Sequence, residues 1–90
     1  MTDEEAEKFK NTLQEGLTFP CVYMYKFIVK SENRNIALVE NLFEAEAEIF
    51  SKESGGGKYI SITVSQVSLN VDEIISTYKK AALIKGIIFL

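Results

Sequence analysis

The stretch that decides the fold is Phe19-Pro20-Cys21-Val22-Tyr23-Met24-Tyr25-Lys26-Phe27-Ile28-Val29-Lys30-Ser31. Aromatic and β-branched side chains dominate it, which suits a pleated, half-buried surface better than an exposed helix, so it predicts a strand. A strand's period of two sorts these residues into two faces. One carries Cys21, Tyr23, Tyr25, Phe27 and Val29; the other carries Val22, Met24, Lys26 and Ile28. The first is larger and free of charge, so it is expected to face the core. Pro20 stands near the strand start, where a missing N–H does least harm.

Downstream, Ser31 to Arg34 is polar and can open a helix. Ile36, Val39, Leu42 and Phe43 then recur at helical spacing. Glu44 to Phe50 alternates, which predicts a half-exposed strand with its glutamates in solvent. Ser54-Gly55-Gly56-Gly57 supplies the backbone freedom for a reversal, and alternation resumes from Lys58 to Val67 with Ile60, Ile62 and Val64 on one face. These two strands are expected to form a hairpin. Asn70 with Glu73 marks another helix start, and Val71, Ile74, Ile75, Tyr78, Ala81 and Ala82 make its apolar stripe, with Gly86 as terminator. Ile87-Ile88-Phe89-Leu90 is expected to be a last short strand in or against the sheet.

Upstream, Thr2-Asp3-Glu4-Glu5 fits a capping box, and Ala6, Phe9, Leu13 and Leu17 share one helical face. This predicts an acidic amphipathic helix over residues 1–17, packed on the body or frayed, with a partner-binding arm as the alternative, ahead of one domain over residues 18–90. A chain of 90 residues with 47% hydrophobic side chains has room for one two-layer core and no deep enclosed site.

From Phe19 the order is strand, helix, strand, strand, helix, strand. With right-handed crossovers this closes most simply as an α+β, ferredoxin-like βαββαβ fold: a four-stranded antiparallel sheet in order 4-1-3-2 with both helices on one face. The other face then presents Val22, Met24, Lys26 and Ile28 beside Tyr59, Ser61, Thr63 and Ser65. Three occupants are open for that partly apolar strip: the N-terminal helix, another subunit or a bound partner.

Five acids (Asp3, Glu4, Glu5, Glu7, Glu15) stand against Lys8 and Lys10 in the first fifteen residues, so the net charge of −3 sits there and the body is balanced. A sequence pI of 4.9 speaks against a protein whose affinity comes from neutralising phosphates. Cys21 is the lone cysteine, so no disulfide forms within the chain, which fits a reducing compartment. No signal peptide or membrane span is recognisable, and a cytoplasmic protein is expected.

The chain has no histidine, and a thin domain offers little burial to tune a carboxylate or Lys26 for proton transfer, so no enzyme is expected. Cys21 lacks a histidine to activate it and reads as a small core residue. No metal or cofactor is expected either: Glu44, Glu46 and Glu48 read as a charged edge strand rather than a ligand set. The triple glycine links two strands rather than opening a helix, so it is a turn and not a phosphate cradle. RNA binding on the open sheet face is kept as an alternative, with Tyr59 as stacking platform and Lys26 as nearby base, although the aromatic run of RNA-recognition modules is replaced by Lys58-Tyr59-Ile60-Ser61-Ile62.

Phe19-Pro20-Cys21, Tyr25-Lys26-Phe27, Ser54, Gly57-Lys58-Tyr59 and Ser61, in this order and spacing, resemble the YbeD-like family of small bacterial proteins, whose function is not established. The resemblance spans Leu13 to Leu90. It implies a ferredoxin-like fold similar to the regulatory ACT domains, a regulatory role and no catalytic residues. ACT domains pair to bind a small effector near a glycine-bearing turn, and here the corresponding Lys30-Ser31-Glu32-Asn33-Arg34 has no glycine. The expectation is therefore a non-catalytic regulatory or adaptor domain that associates with another protein or itself. Lys26, Tyr59, Ser61 and Thr63 are its candidate contacts, and an effector-sensing dimer is the alternative.

Overall fold

A computed structural model describes residues 2–90. Its elements are α1 (Asp3–Gly16), β1 (Cys21–Lys30), α2 (Asn33–Glu40), β2 (Glu48–Ser54), β3 (Tyr59–Ser68), α3 (Val71–Ala81) and β4 (Ile88–Phe89). The strands form one antiparallel sheet in order β2-β3-β1-β4, which counted from the β4 edge reads 4-1-3-2. β1 and β3 are thus the central pair, and all three helices lie on one side of them.

β1 follows its alternation. Tyr25, Phe27 and Val29 are fully buried, and β3 meets them with Ile60, Ile62 and Val64 through the pairings Tyr25↔Val64, Phe27↔Ile62 and Val29↔Ile60. α3 covers this layer with Val71, Ile74, Ile75, Tyr78 and Ala81, and α2 adds Val39. The centre is aromatic: the Tyr25 ring lies 5.1 Å from Phe43 and 5.4 Å from Tyr78, and Phe89 of β4 closes the edge 5.8 Å from Phe27. Tilted and edge-on geometries of this kind add to the area that the rings bury.

The capping box at Thr2 is formed: the Glu5 N–H donates to Thr2 Oγ1 at 3.1 Å and the Thr2 N–H to Glu5 Oε1 at 3.2 Å. These bonds hold the Glu5 carboxyl below its ordinary range. α1 does not lie on the open sheet face, as one expectation had it. Ala6 and Leu13 are buried in the helix-side core, Phe9 meets Tyr78 edge-on at 5.2 Å, and Lys10 Nζ reaches Asp72 of α3 at 3.1 Å.

Two expected boundaries change. The strand expected over Glu44–Phe50 begins only at Glu48; Glu44 and Glu46 belong to the turns that precede it, where the Ala47 N–H donates to the Glu44 carbonyl. The reason is Phe43, whose ring must drop onto Tyr25 and Phe27 after α2 ends at Glu40, and the chain spends those residues turning. α3 stops at Ala81 rather than Gly86, leaving Ala82 exposed while Ile84 is buried from the following turn. Gly86, at φ +79°, serves the reversal into β4.

Candidate functional site

The face of the sheet away from the helices is bare. Register alone places its side chains in rows about 6.8 Å apart along the strands. Across β3 and β1, Val67 stands beside Val22, Ser65 beside Met24, Thr63 beside Lys26, Ser61 beside Ile28 and Tyr59 beside Lys30. On β2, Glu48 joins the Ser65 row, Phe50 the Thr63 row, Lys52 the Ser61 row and Ser54 the Tyr59 row. Ile88 of β4 joins the Ile28 row.

All four residues singled out from the sequence, Lys26, Tyr59, Ser61 and Thr63, are on this face. Lys26 and Thr63 are direct cross-strand neighbours. Ser61 lies one row on, its Oγ 3.4 Å from the Lys52 carbonyl as donor, and Tyr59 lies in the last row beside the hairpin. Thr63, Ser61 and Tyr59 therefore run along β3 with Lys26 beside the first of them, rather than converging on a point, which suits contact with an extended partner more than capture of a small molecule. Glycine is needed behind Tyr59: Gly55 has φ +60°, and a Cβ there would stand 3.3 Å from the Tyr59 ring.

What the sequence did not single out is the apolar extent of the face. Val22, Met24, Phe50 and Val67 are all more than half exposed. Phe50 was placed on β2 by its alternation, but its neighbourhood follows only from the register, Phe50↔Thr63. Apolar area of this size, unshielded, is what interaction surfaces show.

Charge divides the face lengthwise. Glu44, Glu46 and Glu48 rim a shallow hollow of about 530 Å³ floored by Val22 and Val67. At the opposite end Lys30 and Lys58, with Glu32, surround Tyr59 at a second hollow of about 390 Å³, and Lys52 is close by. Neither hollow holds a buried ionisable group. Among the described residues no three of His, Cys, Asp and Glu come together as a metal site, and no helix is long and apolar enough to cross a membrane.

The strongly shifted groups lie on the other side of the sheet. Burial, aided by the Tyr23 hydroxyl at 3.1 Å, pushes the Tyr78 phenol far above its ordinary value. Burial also raises Tyr25; the Thr77 and Ser68 hydroxyls lie near enough to offset part of this, yet neither makes a bond of ordinary geometry to it. Both phenols stay neutral throughout the physiological range and belong to the core. Cys21 is half-buried at the start of β1 with no histidine in the chain to activate it.

No curated protein and no solved structure matches the chain. A family model described as a protein of unknown function, DUF493, matches residues 14–90, from the last turn of α1 through β4, and the chain belongs to that family.

Proposed function

We propose that this chain is a non-catalytic regulatory or adaptor domain of the bacterial cytoplasm, a ferredoxin-like unit of ACT-like kind that acts by association through its open sheet face. One observation carries this reading: an apolar face with Val22, Met24, Phe50 and Val67 exposed, left bare although the chain has a third helix that packs elsewhere. Lys26, Tyr59, Ser61 and Thr63 are polar residues set among its apolar ones. The same face holds no convergent, buried set of groups of the kind that acid–base or nucleophilic chemistry requires.

The test is to add the macromolecular fraction of host lysate to labelled protein and follow the backbone amides. Signal loss centred on the rows of Lys26, Thr63, Ser61 and Tyr59, diminished in a Tyr59→Ala variant, is the expected result. Loss confined to α1 and α3, or none anywhere, overturns the reading.

A second reading, an effector-sensing dimer, draws on the hollow between the β1–α2 turn (Lys30, Ser31, Glu32) and the hairpin (Gly57, Lys58, Tyr59). Shifts at those residues with the low-molecular-weight fraction alone would favour it over the adaptor. Silence there would end it.

A further inference from the structure

From the charge pattern of the open sheet face we infer that its partner is a second copy of this chain, docked face to face about a two-fold axis that runs across the strands through the Lys26–Thr63–Phe50 row. This rests on the reading of that face as an association surface and names its occupant.

Two surfaces facing each other in a symmetric pair are related by an axis lying in the interface. An axis across the strands keeps each strand over its own copy and inverts the row order. The row of Glu48 and Met24 then lies over the row of Lys52 and Ile28. Glu48 meets Lys52 of the second copy twice over, once from each side, and Met24 meets Ile28. Phe50, on the axis, meets itself. Beyond these rows the acidic rim of Glu44 and Glu46 lies toward the hairpin that carries Lys58. Face-to-face sheets pack about 10 Å apart and about 30° from parallel, a span that Glu and Lys side chains bridge.

The alternative axis, along the strands, stacks the lysine-bearing ends of both copies on each other and both Glu48 residues at the other end. An anionic polymer lying along the face would leave the lysines and run onto Glu44, Glu46 and Glu48. Only the axis across the strands sets Glu48 against Lys52. Two mismatches remain: Lys26 lies on the axis and faces its own copy, and Lys30 lies over Val22 of the second copy.

The size of the face sets the strength. β1 and β3 with ten residues each and β2 with seven cover about 430 Å² in projection at ordinary spacings. That is short of the roughly 800 Å² per partner of a standard stable interface, so the pair is expected to be weak and to form only in concentrated samples.

The test uses charge exchange at two exposed positions, followed by sedimentation equilibrium and amide shifts up to about 1 mM. Glu48→Lys sets lysine against lysine, and Lys52→Glu sets glutamate against glutamate. Each variant alone is expected to self-associate about ten-fold more weakly, since two exposed contacts change sign. Mixed together, the two variants restore opposite charges at both contacts and are expected to pair about as tightly as wild type. Lys26→Ala, which removes the on-axis repulsion, is expected to tighten the pair. Self-association unchanged by either exchange, or no recovery on mixing, overturns the inference. So does a wild type that stays monomeric at about 1 mM. If that monomer still loses its open-face amide signals with the macromolecular fraction of lysate, the association reading stands and only the second copy is excluded; if it loses none, both fail.

Discussion

The two faces of β1 are made of similar residues and meet opposite fates. Tyr25, Phe27 and Val29 are 0–1% exposed, whereas Val22 and Met24, three residues and one residue before Tyr25, stand 68% and 64% exposed. Neither face is polar, so hydrophobicity alone did not choose between them. Size and cover did: the larger, aromatic face received α2, α3 and the flank of α1, and the smaller face, interrupted by Lys26, received nothing. A sheet with two usable faces and helices enough for one leaves the other for something outside the fold. The largest expected effect tests this inequality from the buried side. Phe27→Ala opens a cavity among Tyr25, Phe43, Tyr78 and Phe89 and is expected to cost about 3–5 kcal/mol in urea unfolding. A loss under about 1 kcal/mol would mean that the aromatic layer is not the core.

Within that core, two tyrosines sharpen the comparison because their hydroxyls are treated differently. Tyr78 shares a 3.1 Å hydrogen bond with Tyr23, while the Tyr25 hydroxyl is buried without a partner. Tyr78→Phe is therefore expected to cost about 1 kcal/mol, and Tyr25→Phe to be neutral or stabilising, since it removes a polar atom that burial left unpaid. Both phenols have raised pKa values in the folded state. The unfolded chain then releases their protons first, so the stability they confer is complete below an unfolded pKa of about 10 and is lost as pH rises above it. Urea midpoints are expected to fall from pH 9 to pH 11 in the wild type and to fall less in Tyr78→Phe. An equal fall in both would show that Tyr78 is not the group responsible.

Alternation and capping carried most of the fold. The faces of β1 and β3, the Thr2 and Asn70 caps and the glycine hairpin all follow from spacing within a few residues of chain, and local physics decides them. The errors lie where a distant partner decides. Glu44 and Glu46 alternate like a strand but are drawn into turns by the demand that Phe43 reach Tyr25, a contact no local pattern records. α1 has an amphipathic face that fits any apolar surface, and its position on α3 follows from Phe9 meeting Tyr78. The candidate site was half legible for the same reason. Lys26, Tyr59, Ser61 and Thr63 could be placed on one face from period two, but the exposed Phe50 beside Thr63 and the split between a glutamate end and a lysine end required the register of β2 against β3.

The smallest expected effect probes the bare face. Met24 sits beside Ser65 and is 64% exposed, so its side chain has little to lose on truncation. A β-branched threonine there keeps strand propensity and removes most of the exposed apolar area. Met24→Thr is therefore expected to change folding stability by less than about 0.5 kcal/mol in urea unfolding at low micromolar concentration, where association contributes nothing. The same substitution should weaken self-association in concentrated samples, because Met24 would lie over Ile28 of the second copy. A folding cost above about 1 kcal/mol at low concentration would mean that something within the chain already covers the face, and the contrast between the two sides of β1 would then collapse.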